Sequence, residues 1–413
     1  MSIKWYGGNT SIMNIIFLTL VRITNIEDRG IYTDLMRKFR NEGHNIYIVS
    51  PHERRYKLET SLQSKDNVNY LNVKTLNIQK TNIIEKGLAT LLIEKQFKRA
   101  IQKHLNNVSF DVILYSTPPI TLIDVIKYLK KRNPNAITYL LLKDIFPQNA
   151  VDLHIFSGKS LFYKFFRKKE IQLYKLSDFI GCMSPANVEY ITKHNSFLDP
   201  QIIEIAPNSI ELSEEEREID RLTIRKKYNL PIKTPILIYG GNIGKPQGID
   251  YLISCLEVCK KKEDFHIVIV GNGTDYEKLY HWYKNNNPNN TSIFKSLPKE
   301  DYDRLVRACD VGLIFLDHHF TIPNFPSRLL SYLEAGLPIL AATDINSDIG
   351  KIAEENHFGY WCESVKPSDF LEIIKKLFKS DMKLMGENGF TFLRNNYMTS
   401  HTYSAIMKHI INQ

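Results

Sequence analysis

The sequence predicts an α/β protein with two similar, doubly wound parallel-sheet domains that face each other across a cleft. Strand-like apolar runs alternate with amphipathic helix-like runs along the chain, which is typical of parallel strands joined by crossover helices. The chain has 413 residues, more than the ~250–300 that a single hydrophobic core usually holds. A polar stretch at residues 207–233 separates the two alternations. We therefore place the domains at residues 13–210 and 211–395.

The first domain follows residues 1–12, which we expect to be a loose N-terminal extension because the first buried-strand pattern starts near Met13. Residues 52–80 are polar, and we expect them to be irregular. Residues 83–104 have the pattern of a basic amphipathic helix. The other strand patterns lie at residues 14–20, 45–50, 111–116, 137–142, 177–184 and 201–205, and the other helix patterns at 32–42 and 122–131.

The second domain contains a buried strand pattern at residues 310–317 that is followed by a loop and a short helix. Ser327 is a favourable N-cap for that helix, and Gly336 is a favourable stop at its end. The chain closes with a helix pattern within residues 396–413, and packing back on the first domain is one arrangement open to it. Further strand patterns lie at 236–240, 266–271, 292–294 and 339–342, and helix patterns at 248–260, 275–284, 299–308 and 370–378.

The composition is that of a soluble globular protein, with 43% hydrophobic and 24% charged residues. No apolar run reaches the ~18 residues that a membrane-spanning helix needs, and no secretory signal pattern is present. The net charge of +9 is spread along the chain without a basic tract or a nucleic-acid motif, so we expect no nucleic-acid partner. The five cysteines lack zinc-ligand spacing, which predicts free thiols in a cytoplasmic protein.

Glycine-bearing turns follow two strands of the second domain. The first turn contains Gly241, Asn242, Gly244 and Lys245, and the second contains Gly271 with Asn272 beside it. Glycines allow close approach of the backbone to a ligand, and helix N-termini after such turns attract anions. We expect a phosphate-bearing ligand here, while ordinary βα turns are the alternative.

Arg328 lies in the first turn of the helix that Ser327 opens. Cations are normally disfavoured at a helix N-terminus, so this arginine suggests that an anionic ligand binds there. A surface salt bridge is the alternative for Arg328. On the first domain, Asp144 follows the fourth strand of the first parallel run, and either a ligand role or a hydrogen bond within its own turn fits its position.

Taken together, these motifs resemble bacterial family-4-type glycosyltransferases of the GT-B fold, especially the capsule and O-antigen branch. The resemblance covers nearly the whole chain from Met13. It rests on Gly241-Asn-Ile-Gly-x-x-Gln-Gly248, Gly271-Asn-Gly273, Leu297-Pro298, Pro326-Ser-Arg-x-x-x-Tyr-Leu-x-Ala-Gly-x-Pro338 and Asp144-Ile-Phe-Pro-Gln-Asn149.

The resemblance implies a nucleotide sugar bound mainly to the second domain, an acceptor bound to the first, retention of anomeric configuration, and no metal or other cofactor. By position, the catalytic pair would be Asp144 and Arg328. The donor-binding set would be Gly30, Gly241, Asn242, Gly244, Lys245, Gly271, Asn272, Leu297, Ser327 and Ser331.

The chain departs from the family pattern at two places. Many relatives carry two glutamates with seven residues between them, and the matching positions here are Pro323 and Ser331. We favour Ser331 as the residue facing the ribose, with Glu334 as its rival. Relatives also often carry an arginine and a lysine in the first glycine turn, where this chain has Asn242 and Gln247. This leaves Lys245 and Arg328 as the cations for the diphosphate.

Residues 159–176 combine lysines and aromatic residues on a predicted helix. Lys164, Lys168 and Lys175 fall on one face and Phe162, Phe166 and Leu173 on the opposite face. Either the aromatics pack in the core of an ordinary helix, or the segment docks on an anionic membrane surface. The basic helix at residues 83–104 is a candidate for the same role. His318 and His319 are adjacent, and without an evident third ligand we expect no metal there.

We conclude from the sequence that the protein is a retaining hexosyl- or N-acetylhexosaminyl-transferase. The expected donor is a nucleotide sugar, with UDP the favoured nucleotide. The expected acceptor is a lipid-diphosphate-linked glycan of capsule, O-antigen or exopolysaccharide synthesis, at the inner face of the plasma membrane. A nucleotide-sugar 2-epimerase of GT-B fold and a degenerate, non-catalytic nucleotide-binding module are the alternatives.

Overall fold

The computed structural model of the chain describes residues 12–78, 83–212 and 219–411. The proposed N-terminal extension therefore lies almost wholly outside the described residues, as does most of the acidic run at 211–220. Within the described ranges, no helix is both long enough and apolar enough to cross a lipid bilayer.

The first lobe is built on an eight-stranded, mostly parallel sheet. Its strands are β1 (Asn14–Leu18), β2 (Asn45–Glu53), β3 (Ser61–Lys65), β4 (Val68–Thr75), β5 (Val112–Ser116), β6 (Ile137–Leu141), β7 (Phe179–Cys182) and β8 (Ile203–Ile205). They are ordered β3-β4-β2-β1-β5-β6-β7-β8 across the sheet, and β3 runs antiparallel to β4 at one edge. Strands β1, β5 and β6 are buried almost throughout, which accounts for their uninterrupted apolar sequences.

The expectation that residues 52–80 are irregular is wrong, because β3 and β4 form a hairpin there. Asp66 and Asn67 make the turn with φ of 50° and 61°, and these are residue types that tolerate the left-handed region that tight hairpin turns require. Strand β3 lies at the sheet edge and is largely exposed, so it lacks the apolar alternation on which the prediction depended.

The helices of the first lobe follow the predicted alternation with the strands. They are α1 (Ile31–Asn41), α2 (Ile83–His104), α3 (Ile123–Arg132), α4 (Gln148–Asp152), α5 (Leu161–Lys175) and α6 (Pro185–His194). Ser160 caps α5, because its Oγ accepts a hydrogen bond from the Tyr163 amide at 3.1 Å.

The second lobe is built on a six-stranded, all-parallel sheet. Its strands are β9 (Ile236–Asn242), β10 (His266–Asn272), β11 (Thr291–Phe294), β12 (Val311–Phe315), β13 (Ile339–Thr343) and β14 (Gly359–Glu363), ordered β11-β10-β9-β12-β13-β14 across the sheet. Its helices are α7 (Arg221–Lys227), α8 (Ile249–Cys259), α9 (Tyr276–Asn286), α10 (Lys299–Arg307), α11 (Arg328–Glu334), α12 (Ile349–Glu355), α13 (Pro367–Lys379) and α14 (Met382–Asn396). The two lobes confirm the predicted class of two facing parallel-sheet domains.

The final helix, α15 (Thr399–Ile411), lies on the first lobe rather than on the second. Tyr403, Ile406 and Met407 are buried with the residues of α1 and its sheet. The Tyr403 ring lies 5.0 Å from that of Phe39, and its hydroxyl is 3.2 Å from Nε2 of the buried His44. The chain therefore crosses between the lobes a second time, which ties the end of the sequence to its beginning.

Candidate active site

A cleft of about 880 Å³ lies between the lobes. In open parallel sheets, ligands bind at the carboxyl ends of the strands, and strand ends of both sheets meet this cleft. Ten of the residues selected from the sequence line it: Gly30, Asp144, Gly241, Asn242, Gly271, Asn272, Leu297, Ser327, Arg328 and Ser331.

Two glycines at neighbouring strand ends shape the floor of the cleft. Gly241 has φ of +125°, a conformation that L side chains rarely adopt, and a Cβ there would lie 3.3 Å from Nη2 of Arg328. Gly271 pairs with Gly241 in register, and a Cβ on Gly271 would lie 1.9 Å from the Gly241 carbonyl oxygen. Only glycine fits these positions, so the backbone itself forms this part of the wall.

Arg328 sits over this floor without a carboxylate partner among the described residues. Its Cζ lies 4.5 Å from the centre of the Tyr239 ring, and Nη1 is buried with no hydrogen-bond partner. Tyr332 also lies close to the guanidinium, and burial raises the pKa of Tyr332 to about 12, so this phenol is neutral near pH 7. Within the part of the chain that the structure describes, the charge of Arg328 is thus balanced by no neighbouring anion. The alternative of a surface salt bridge finds no support in these contacts.

Ser327 occupies the N-cap position of α11 but does not act as a cap. Its φ and ψ are already helical, at −63° and −17°, and no side-chain capping hydrogen bond forms. The expectation of a capping serine is therefore wrong, because Oγ needs an extended N-cap backbone to reach the next amides. The exposed residue lines the cleft wall instead. Gly336 ends the helix as expected, with φ of +66°.

Both rivals for the ribose, Ser331 and Glu334, line the cleft. Glu334 is engaged across the cleft by Arg29 of the first lobe, with Nη2 to Oε1 and Oε2 distances of 2.8 and 2.9 Å. Arg29 also lies 3.6 Å from Asp303 of the second lobe. Ser331 and Glu334 therefore share one wall of the ligand space, and Glu334 is the one that already has a cationic partner.

Asp144 is held beyond the end of β6 by Asn149. Nδ2 of Asn149 donates to both carboxylate oxygens, at 2.9 and 2.8 Å. Burial raises the pKa of Asp144 to about 6, although the Asn149 hydrogen bonds act in the opposite direction. The sequence left two positions open for this carboxyl group, a hydrogen bond near its own turn and a place in the cleft, and the structure has both.

Two basic side chains of the first lobe also line the cleft and were not selected from the sequence. Arg29 precedes Gly30, and Lys143 precedes Asp144. Nζ of Lys143 donates to the Ala206 carbonyl at 2.9 Å, and burial lowers the pKa of Lys143 to about 7. Their positions beside two chosen residues were the available signal. By contrast, the amide of Gly30 is occupied, because it donates to Asp34 Oδ1 at 3.1 Å.

Gly244 and Lys245 do not line the cleft. A single 3₁₀ turn at Lys245–Gln247 leaves the lysine exposed to solvent, while Pro246 and Gln247 face the ligand space. Nδ2 of Asn242 donates to Gln247 Oε1 at 2.7 Å, which fixes both polar side chains at the turn. The cation that we expected from Lys245 is thus supplied to the cleft by the first lobe.

Helix α5 exposes apolar side chains beside lysines. Phe166 and Leu173 pack in the core of the first lobe, but Leu161 and Phe162 are 81% and 70% exposed, and Phe165 is 43% exposed. We define the α5 surface as Leu161, Phe162, Lys164, Phe165 and Lys168, all of which are exposed. Core packing therefore accounts for only part of the aromatic content of this helix.

Two facing parallel-sheet lobes, joined twice and sharing a cleft at their strand ends, define the GT-B fold. Residues 220–391 match the family described as glycosyl transferases group 1. The chain is 22% identical over 327 residues to the probable glycosyltransferase WbjE of Pseudomonas aeruginosa, a match that covers 77% of this chain and 78% of WbjE. It is 25% identical over 146 residues to the putative colanic acid biosynthesis glycosyl transferase WcaI of Escherichia coli K12, or 34% of this chain and 33% of WcaI.

Among solved structures, HepE of Anabaena in complex with UDP superimposes with a TM-score of 0.67 at 14% identity, covering 97% of this chain and 100% of HepE. This likeness shows the fold. Residues 220–391 are a group 1 glycosyltransferase domain, and the chain is a glycosyltransferase of the GT-B fold. The family resemblance inferred from the sequence motifs is confirmed.

Proposed function

We propose that the protein is a retaining glycosyltransferase of bacterial surface polysaccharide synthesis. It transfers a sugar from a nucleotide sugar, with UDP the favoured nucleotide, to a lipid-linked glycan. Two relatives support the proposal by their descriptions: WcaI is described as a putative colanic acid biosynthesis enzyme, and HepE was solved with UDP.

The unbalanced guanidinium of Arg328 carries the proposal. A half-buried charge without a partner is costly, and this one lies at a glycine turn where the backbone leaves room for a ligand. A diphosphate at Gly241 would lie within about 4 Å of the guanidinium, where attraction between unit charges is about 4 kcal/mol at an effective dielectric constant of 20. A nucleotide sugar carries such a diphosphate, and the same diphosphate is the leaving group of the transfer reaction.

The remaining residues of the second lobe fit the rest of the donor. Gly271, Asn272 and Leu297 extend from the phosphate position along the ends of β10 and β11, which is the place for the nucleoside. Ser331, or Glu334 as its rival, then faces the ribose. For Glu334 to do so, Arg29 must release it, and the freed Arg29 would stand beside the diphosphate.

Transfer joins an acceptor hydroxyl oxygen to the anomeric carbon while the bond from that carbon to the diphosphate oxygen breaks. The electron pair leaves with the nucleoside diphosphate, whose growing charge Arg328 stabilises. The hydroxyl proton passes to Asp144 or to the departing phosphate. An Asp144 carboxyl with a pKa of about 6 is ionised near pH 7 and able to orient or deprotonate the acceptor. No metal is required by this assignment.

The α5 surface suggests how a lipid-linked acceptor reaches the first lobe. Its apolar side chains fit the acyl boundary of a bilayer, and its lysines fit anionic headgroups at ~1 kcal/mol each. The hydroxyl of Tyr163 on this helix lies 3.5 Å from Oε1 of Gln148, whose Nε2 lies 3.5 Å from Oγ1 of Thr321 in the second lobe. The helix thus starts at the edge where the lobes meet, so a membrane docked on the α5 surface would lie beside the junction of the lobes.

A panel of nucleoside diphosphates and sugar nucleotides, measured by calorimetry, tests the donor site. We expect UDP and UDP-sugars to bind in wild type and to lose affinity in Arg328→Met. Incubation of the donor with a lipid-diphosphate-linked glycan should give transfer with retained configuration by NMR. Epimerised donor in the absence of acceptor would establish the epimerase alternative, and binding without any turnover would establish the non-catalytic one.

A further inference from the structure

A second cluster of chemically reactive side chains lies at the junction of the lobes, outside the donor cleft. Asp317, His318 and His319 follow β12 in the second lobe, and one ligand atom from each lies within 4.8 Å of the others. Within the described residues, this is the single group of three such side chains placed so closely. The sequence alone indicated no third ligand for the two histidines, because the loop has to fold back before the carboxylate of their neighbour Asp317 can reach them.

A fourth side chain lies beside the cluster on the first lobe, although its ring nitrogens do not fall within 4.8 Å of all three ligand atoms and its ring has to turn to join them. The ring of His154, which follows α4, lies 5.2 Å from that of His319 at an angle of 72°. The lobes are fastened next to it, because Asp152 accepts hydrogen bonds from the Thr321 amide at 2.8 Å and from its hydroxyl at 2.9 Å. His154 and His319 are therefore held near each other by contacts that do not involve either ring.

The distances suit a transition-metal ion. Two imidazoles on one tetrahedral zinc ion, with Zn–N of ~2.0–2.1 Å, have ring centres about 5 Å apart, close to the spacing of His154 and His319. Oδ1 of Asp317 and Nδ1 of His319 lie 2.6 Å apart, so a carboxylate oxygen and an imidazole nitrogen already converge on one point. His318, whose ring centre is 3.8 Å from that of His319, has to swing outward to complete the set. Its exposed position leaves room for this movement.

We propose that Asp317, His318, His319 and His154 form a binding site for a divalent transition-metal ion that joins the two lobes. Imidazole and carboxylate ligands select Zn²⁺ and its neighbours in the first transition row over Mg²⁺ and Ca²⁺. Bound metal would hold the lobes at a fixed separation beside the donor cleft, because Leu316 and Phe320 of the same loop line that cleft. The role is structural or regulatory, and the ion takes no part in sugar transfer.

Isothermal titration of untagged protein with Zn²⁺ alone tests this proposal without any activity assay. We expect one ion per chain, a rise in Tm with Zn²⁺ that EDTA reverses, and little response to Mg²⁺. His319→Ala and Asp317→Asn should each weaken binding roughly 10- to 100-fold, in the range of lost metal-site interactions. His154→Ala should do the same although it lies in the other lobe. The exposed His281 on α9 is the matched control, and His281→Ala should bind as wild type.

Two results would overturn the proposal in different ways. If the three site variants and His281→Ala all bind Zn²⁺ as wild type does, the ion binds elsewhere and the site does not exist. If only His154→Ala retains full affinity, the site lies within one lobe and the bridging role is wrong. The substituted side chains are at the surface or half-buried, and circular dichroism of each variant checks that the fold is kept.

Discussion

Replacement of Arg328 by methionine should separate catalysis from stability. Methionine fills similar space but removes the charge that we assign to the leaving diphosphate. Loss of one preorganised donor to developing charge costs roughly 10²- to 10³-fold in kcat, or about 3–4 kcal/mol. This agrees with the ~4 kcal/mol of attraction expected at 4 Å with an effective dielectric constant of 20. Because Nη1 has no partner in the folded protein, we expect Tm to stay the same or rise.

Arg225 offers a matched control in the same lobe. It is 6% exposed, and its Nη2 pairs with Asp310 at 2.6 Å while its other nitrogens donate to carbonyl oxygens. Arg225→Met should destabilise the fold by about 1–3 kcal/mol, because the carbonyl oxygens of Ala308 and Ile232 lose their donor, while Asp310 keeps Arg221 as a partner. The folded fraction should keep its kcat.

Initial rates with saturating acceptor, together with thermal unfolding of both variants, provide the measurement. The reasoning is refuted if Arg328→Met keeps its kcat/KM within about threefold of wild type. It is equally refuted if the Tm of Arg328→Met falls as far as that of Arg225→Met, since Arg328 would then be a structural residue. Arg328→Lys should recover part of the rate, because it restores the charge without the planar fork.

Three further predictions concern the first lobe. Asp144→Asn should lower kcat. It should also raise the free energy of unfolding by about 2–3 kcal/mol at pH 7–8 but by little at pH 4. Burial raises the pKa of Asp144 to about 6 in the folded protein, so its ionisation costs stability only as pH rises from the unfolded pKa to the folded pKa. Lys143→Met should raise Tm most below pH 7. Burial lowers the pKa of Lys143 to about 7, so the buried amine destabilises the native state most where it is fully protonated. The third variant reverses the charge of lysines on α5 and combines Lys164→Glu, Lys168→Glu and Lys175→Glu. At low salt it should bind vesicles that contain phosphatidylglycerol at least roughly 100-fold more weakly than wild type, since each lysine contributes ~1 kcal/mol.

Controls for these three experiments come from the same chain. Asn149→Asp tests whether Asp144 is tuned by its neighbour, and it should raise the Asp144 pKa further through like-charge repulsion. Reversal of three exposed lysines on α13 of the second lobe should leave vesicle binding unchanged; the variant is Lys375→Glu, Lys376→Glu and Lys379→Glu. Equal losses in both sets of lysine variants would mean that only net charge matters and that the α5 surface has no special role.

Much of the fold follows from local patterns. Most of the buried parallel strands of both lobes were predictable because burial on both faces demands unbroken apolar runs, whereas β4 and β14 were missed. Helix α14 was missed for a physical reason: it carries Gly386 and Gly389, which weaken a helix pattern. A Cβ on Gly386 would lie 1.9 Å from the Gly336 carbonyl oxygen, so the glycine is required by packing against the end of α11. The contact joins residues that are far apart in the chain, so the sequence around Gly386 alone does not reveal it.

The site divides in the same way. Backbone features such as Gly241 and Gly271 were visible because a glycine directly after a buried strand indicates a close backbone approach. The partnership of Arg29 with Glu334 spans 305 positions and depends on how the two lobes are placed. The place of Lys245 depends on local geometry instead, because a single 3₁₀ turn decides whether its side chain faces the cleft or the solvent.

The division of charge between the lobes leads to a view of how the cleft works. In the proposed function, the second lobe would offer Arg328 and backbone amides to a diphosphate of about two negative charges, so its positive charge would be smaller than the charge of the ligand. The first lobe holds Arg29 and Lys143 at the cleft, and Arg29 is paired with Glu334. A nucleotide sugar that takes up Glu334 through its ribose would release Arg29 for the phosphates. Donor binding and lobe alignment would then be one event, and we expect transfer to require both lobes because neither has enough charge to stabilise the leaving group alone.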